Sequence, residues 1–116
     1  MSYDLDFWKQ PPGSVFDPQA TYERLSSGES VEGLLNLPIE MIMQKIAETF
    51  HDWVRLDDAT WESAKRGSFQ VYTTPQFLRV DCYGMDGEDM NTLIDIAHDF
   101  GCPLYDPQVG TRFDAS

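Results

Sequence analysis

Basic residues are scarce in this chain: 8 Lys and Arg stand against 20 Asp and Glu, for a formal net charge of −12. Binding DNA or RNA requires Lys and Arg along a stripe that displaces condensed cations. The only clustered pair here is Lys65-Arg66, so the charge balance speaks against a nucleic-acid ligand. An anionic membrane surface is disfavoured for the same reason. Long apolar runs are also missing, and nothing approaches the ~20 residues that cross a bilayer. Cysteine is limited to Cys82 and Cys102, both among apolar neighbours. With no basic segment leading into an apolar one at the start, reduced, buried thiols in a cytoplasmic protein are expected. One disulfide is the alternative, and it would need an export signal.

The arrangements that chemistry requires are lacking as well. Nucleophilic catalysis sets Ser, Thr or Cys against a His that a carboxylate orients, and the candidates are His51-Asp52 and His98-Asp99. Neighbours on a helix point about 100° apart, so neither pair forms a dyad there. Zinc calls for ligands at spacings such as Cys-x-x-Cys, and Cys82, His98 and Cys102 show none; structural thiols are the expectation. Asp86-Gly87-Glu88-Asp89 resembles a calcium loop only in composition, because Met90 and Asn91 fall where the EF-hand template needs a ligand and a glycine. Phosphate-cradling glycine spacings are missing too. No cofactor, no metal and no enzymatic activity are expected, with a small hydrolase using His51 or His98 as the remote alternative.

What is present is enough apolar material for one core. The 116 residues are 41% hydrophobic and 13% aromatic, which predicts a single domain over 1–116. Tyr3 to Trp8 alternate as a strand, with Tyr3, Leu5 and Phe7 on one side and Asp4, Asp6 and Trp8 on the other. Asp17-Pro18 opens a short helix ending near Gly28. Ile39, Ile42, Met43, Ile46 and Phe50 form the stripe of a second helix starting at Pro38. Strands follow at Trp61–Ala64, Ser68–Thr73 and Phe77–Cys82, with Phe69, Val71 and Thr73 sharing a face, as do Leu78, Val80 and Cys82. Asp86 caps a third helix with the stripe Met90, Leu93, Ile94 and Ala97, stopped by Gly101 and Pro103. The tail reads as an extended piece at Leu104-Tyr105, a turn through Asp106-Pro107 and Gly110, and a last extended piece through Phe113. The expected architecture is α+β: a two-layer sandwich, an antiparallel sheet with helices packed on one face.

The acids are unevenly placed. From Val80 to Thr111 there is no Lys or Arg, while Asp81, Asp86, Glu88, Asp89, Asp95, Asp99 and Asp106 all fall there. A solvated helix face explains such a run in many proteins, yet charges of one sign this concentrated also suit a basic partner surface. Trp8, Trp61 and Tyr83 fall on the polar sides of their strands by alternation, where they would anchor a partner or lie under a second layer. The candidate partner-binding residues are therefore Asp81, Asp86, Glu88, Asp89, Asp95, Asp99, Trp8, Trp61 and Tyr83.

Tyr3-Asp4-Leu5-Asp6-Phe7-Trp8, Phe69-Gln70-Val71, Val80-Asp81-Cys82-Tyr83-Gly84 and Phe100-Gly101-Cys102-Pro103-Leu104-Tyr105-Asp106-Pro107-Gln108 together resemble small acidic bacterial proteins. These are similar to the immunity proteins of contact-dependent growth inhibition and other polymorphic toxin systems. The resemblance implies a cytoplasmic antitoxin that occludes a cationic toxin, such as a nuclease, and acts as a monomer or weak homodimer. It carries no interface positions with it. The alternative is a non-catalytic adaptor or assembly subunit that binds through exposed aromatics.

Overall fold

The computed structural model describes residues 2–108 and 111–113. Its strands are β1 (Ser2–Phe7), β2 (Val54–Asp57), β3 (Thr60–Ser63), β4 (Gly67–Thr74), β5 (Phe77–Tyr83), β6 (Leu104–Asp106) and β7 (Thr111–Phe113). Its helices are α1 (Pro18–Ser26), α2 (Ile39–Thr49) and α3 (Gly87–Asp99). The strands form one seven-stranded antiparallel sheet in the order β2-β3-β4-β5-β1-β6-β7. The fold is α+β. β1 lies between β5 and β6, so the opening segment of the chain joins the meander to the terminal hairpin. The turn expected around Gly110 lies outside the described residues.

Cross-strand register sorts the residues onto two faces. Leu5 opposes Val80, Phe7 opposes Leu78, Phe69 opposes Cys82 and Trp61 opposes Phe69. All of these belong to the larger core, with Ile42 and Ile46 from α2 and Leu93, Ile96 and Ala97 from α3. Each fully buried Leu or Ile there contributes roughly 1.5–3 kcal/mol. The opposite face carries a smaller core of Trp8, Leu25, Val31, Leu34, Phe77 and Tyr105. Leu25 comes from α1 and the two residues after it from the following loop. Helices on one face therefore describes α2 and α3, whereas α1 covers the other. Period-two alternation could not reveal this, because β1 is apolar on one side and mixed on the other, and only Trp8 betrays the second layer.

The helix ends follow local chemistry. The Asp17 carboxylate accepts from Ala20 N at 3.0 Å ahead of Pro18, and the Asp86 carboxylate accepts from Asp89 N at 3.0 Å. Each satisfies a backbone donor left over in the first turn. α1 and α3 close alike: Glu29 N donates to Arg24 O and Gly28 N to Leu25 O, as Cys102 N does to Ala97 O and Gly101 N to His98 O. Gly28 and Gly101 hold φ of 83° and 82°, the left-handed conformation this closure needs and that a side chain resists.

The meander has one strand more than the pattern predicted. β2 is four residues long, exposed throughout, and shifted in register between Arg55 and Asp57, so the brief alternation of Val54-Arg55-Leu56-Asp57 buries neither side. A short, irregular, charged edge of this kind resists pairing with other chains.

The Gln76 side chain, in the turn between β4 and β5, clasps the loop after α1. Its Oε1 accepts from Val31 N at 2.9 Å, and its Nε2 donates to Val31 O at 3.0 Å and Leu34 O at 3.3 Å. Gln76→Ala strands a partly buried donor, and urea unfolding is expected to register a loss of about 2 kcal/mol. A change within experimental error would mean that water replaces the clasp.

Candidate functional site

α3 owes its two-sided character to its spacing. Leu93, Ile96 and Ala97 are buried, whereas Glu88, Asp95 and Asp99 are exposed. Offsets of seven and four residues bring those three carboxylates onto one stripe. Among the described residues none of the three takes part in an ion pair. Their charge is thus presented to solvent rather than used inside the fold.

Asp86 and Asp89 serve the structure instead. Asp86 caps the helix. Asp89, buried to a side-chain exposure of 7%, receives both Nε and Nη2 of Arg66. The same guanidinium donates to Asp52 at 3.1 Å and lies 5.2 Å from the centre of the Trp53 ring. Its bond to Asp89 raises the Arg66 pKa further above its ordinary value. The acidic segment of α3 therefore divides into two structural carboxylates and three free ones.

Asp81 stands apart from the helix, on the sheet face opposite to α3. Register places Val54, Glu62, Ser68 and Tyr83 in one row across that face, then Thr60, Gln70, Asp81 and Asp4, then Tyr72, Arg79, Asp6 and Tyr105. Exposure falls along these rows as α1 begins to cover them. Arg79 Nε lies 3.4 Å from Asp81 Oδ1, with its guanidinium 5.0 Å from the centre of the Tyr72 ring. Burial raises the Asp81 pKa against the pull of Arg79.

Asp6 is the unexpected residue. It is fully buried, and neither carboxyl oxygen meets a hydrogen-bond donor among the described residues. Burial, then a shared hydrogen bond and repulsion from Asp4, push its pKa up to about 9, with Arg79 opposing. Asp6 therefore keeps its proton at neutral pH and can donate it to Asp4. Asp4 also accepts from the Tyr22 hydroxyl of α1 at 3.2 Å. The sequence signal was two acids flanking Leu5, on a strand side that also carries Trp8.

The three aromatic candidates separate. Trp8 is buried in the smaller core, where its ring centroid lies 5.2 Å from that of Tyr105. Trp61 is buried in the larger core, stacked on Phe69 at 5.1 Å. Expected on polar strand sides, as partner anchors or beneath a second layer, both are core residues. For Trp61 the register against Phe69 is the reason; for Trp8 it is the layer formed by α1. Tyr83 alone is exposed, at 43%.

His51 and His98 are both exposed, at the ends of α2 and α3. Cys82 and Cys102 are both buried, and burial raises the Cys82 thiol to about 12, which suppresses its thiolate. An open cleft of about 450 Å³ is lined by Leu37, Ile39, Glu40, Thr73, Thr74 and Pro75, without histidine or cysteine. Among the described residues, no group of three or more His, Cys, Asp or Glu could hold a metal ion, and no helix is long and apolar enough to cross a membrane. Comparison with protein-family models, with curated proteins and with solved structures finds no match to this chain.

Proposed function

We propose that this protein binds a basic protein through the outer stripe of α3, as a non-catalytic cytoplasmic immunity protein or antitoxin that covers a cationic toxin. A nuclease is the partner class such a surface suits best, because carboxylates spaced along a helix can occupy positions where the enzyme meets phosphates. The observation that carries this reading is the set Glu88, Asp95 and Asp99, exposed on one stripe and without an ion pair among the described residues. Holding like charges together opposes folding slightly, and a field of one sign accelerates encounter with an opposite surface. The adaptor reading keeps Tyr83 as its one exposed aromatic among the three candidates, since Trp8 and Trp61 are buried.

The test begins with capture of partners from the source cell by the tagged protein, followed by stopped-flow association with the purified basic partner. Neutralising the stripe with Glu88→Gln, Asp95→Asn and Asp99→Asn is expected to slow association at low salt on the order of tenfold and to flatten its salt dependence. Asp86 and Asp89 stay untouched, since the cap and the Arg66 pair would confound the result. An unchanged association rate at low salt would remove α3 as the docking face. A partner that resists salt and is lost with Tyr83→Ala would support the adaptor.

A further inference from the structure

Asp6 lies beneath α1, and its position asks what holds that helix down. α1 is nine residues long and few of its Cα atoms approach another element closely. It touches the sheet through side chains: Thr21 and Leu25 are buried, the Tyr22 hydroxyl donates to Asp4, and Gln19 accepts from the Tyr105 hydroxyl. Downstream the chain is fixed by the Gln76 clasp and by Leu35 N donating to Lys9 O at 3.0 Å. The segment from Asp17 to about Ser30 is thus a cover anchored at its far end and resting on a carboxyl.

The surroundings of that carboxyl are unfavourable to charge. Asp4 on β1 and Asp81 on β5 stand beside it on the same face, and Arg79 on β5 faces it while pairing with Asp81. Tyr72 on β4 stacks on Arg79, Tyr105 on β6 lies directly opposite Asp6, and Tyr22 closes the site from α1. Asp17, which caps α1, and Glu23 on α1 add negative potential at Tyr105. An ionised Asp6 would need water that the closed cover excludes.

We propose that α1 with its following loop is a proton-sensitive strap, closed over the sheet while the Asp6 carboxyl is neutral and released as that proton is lost. Opening uncovers Trp8, Phe77 and Tyr105, an apolar surface the closed form hides. This device stands independently of the docking role assigned to α3. A carboxyl that is ordinary in the open form and raised to about 9 in the closed form makes opening about tenfold more favourable per pH unit between those values, levelling off above the higher one.

Trypsin reads the opening directly, because Arg24 lies in the strap, and a small peptide substrate cleaved in parallel corrects for trypsin's own pH dependence. The ratio of initial cleavage at Arg24 to cleavage of that substrate is expected to rise about tenfold per pH unit from pH 6 to pH 9 in the full chain, ahead of any cleavage at Lys45 in α2. In Asp6→Asn the rise disappears. Asp4→Asn, which removes the neighbouring repulsion, makes the ratio level off at a lower pH and decides the matter if Asp6→Asn does not fold. A ratio constant with pH in the native protein overturns the strap, as does an equal rise in Asp6→Asn or levelling unmoved by Asp4→Asn.

Discussion

Trp8→Ala is expected to lower stability by about 3–5 kcal/mol. In a domain of this size that takes Tm down by more than about 10 °C. Trp8 has no exposed surface, and it packs against Tyr105, which in turn lies 5.4 Å from Tyr22 between ring centroids. Alanine would leave a cavity at the centre of the smaller core, whose remaining members are few and come from α1, its loop and two strands, β5 and β6. Nothing nearby can collapse into the space without drawing α1 across the sheet. Tyr83→Ala, at a position 43% exposed, is the matched control and should move stability by less than about 0.5 kcal/mol. Thermal and urea unfolding followed by circular dichroism measure both. A Trp8→Ala protein within 1 kcal/mol of the native one would return Trp8 to the list of partner anchors.

The contrast between these two aromatics shows how far the pattern of the chain could be read. Wherever a single side of a strand is buried, alternation identifies it, and Leu78, Val80 and Cys82 are buried together as the spacing requires. The caps at Asp17 and Asp86 and the stop at Gly101 were legible because each rests on chemistry within four residues. Trp61 was misplaced because its neighbours on β3 say little, and its face is decided by pairing with Phe69, which is nonlocal. β2 escaped notice because it buries nothing. Among the acids, sequence distinguishes neither Asp89 from Glu88 nor Asp6 from Asp4. Arg66 arrives from 23 residues away, and the cover over Asp6 comes from a helix that local pattern placed on the other side.

Asp6→Asn is expected to stabilise the protein at neutral and alkaline pH, by an amount that grows with pH. The folded protein holds the Asp6 proton up to about pH 9, whereas the ordinary value for aspartate is 3.8. A raised pKa gives stability that is complete below the unfolded value and is lost as pH climbs through the folded one. Between the two, folding takes up a proton, and each pH unit removes about 1.4 kcal/mol. Asparagine does not titrate, and its Nδ2 can donate to Asp4 in place of the acid proton, so the variant keeps the contact and loses the slope. Subtracting urea-derived stabilities of the native protein from those of the variant cancels the other carboxylates. That difference should increase by about 4 kcal/mol from pH 5 to pH 8. The competing possibility is that Arg79 holds Asp6 ionised as one member of a buried ion pair, in which case removing the charge would leave the guanidinium uncompensated. A variant less stable than the native protein at pH 8 would establish that pairing, and a difference that does not change with pH would show that Asp6 carries no proton into the fold.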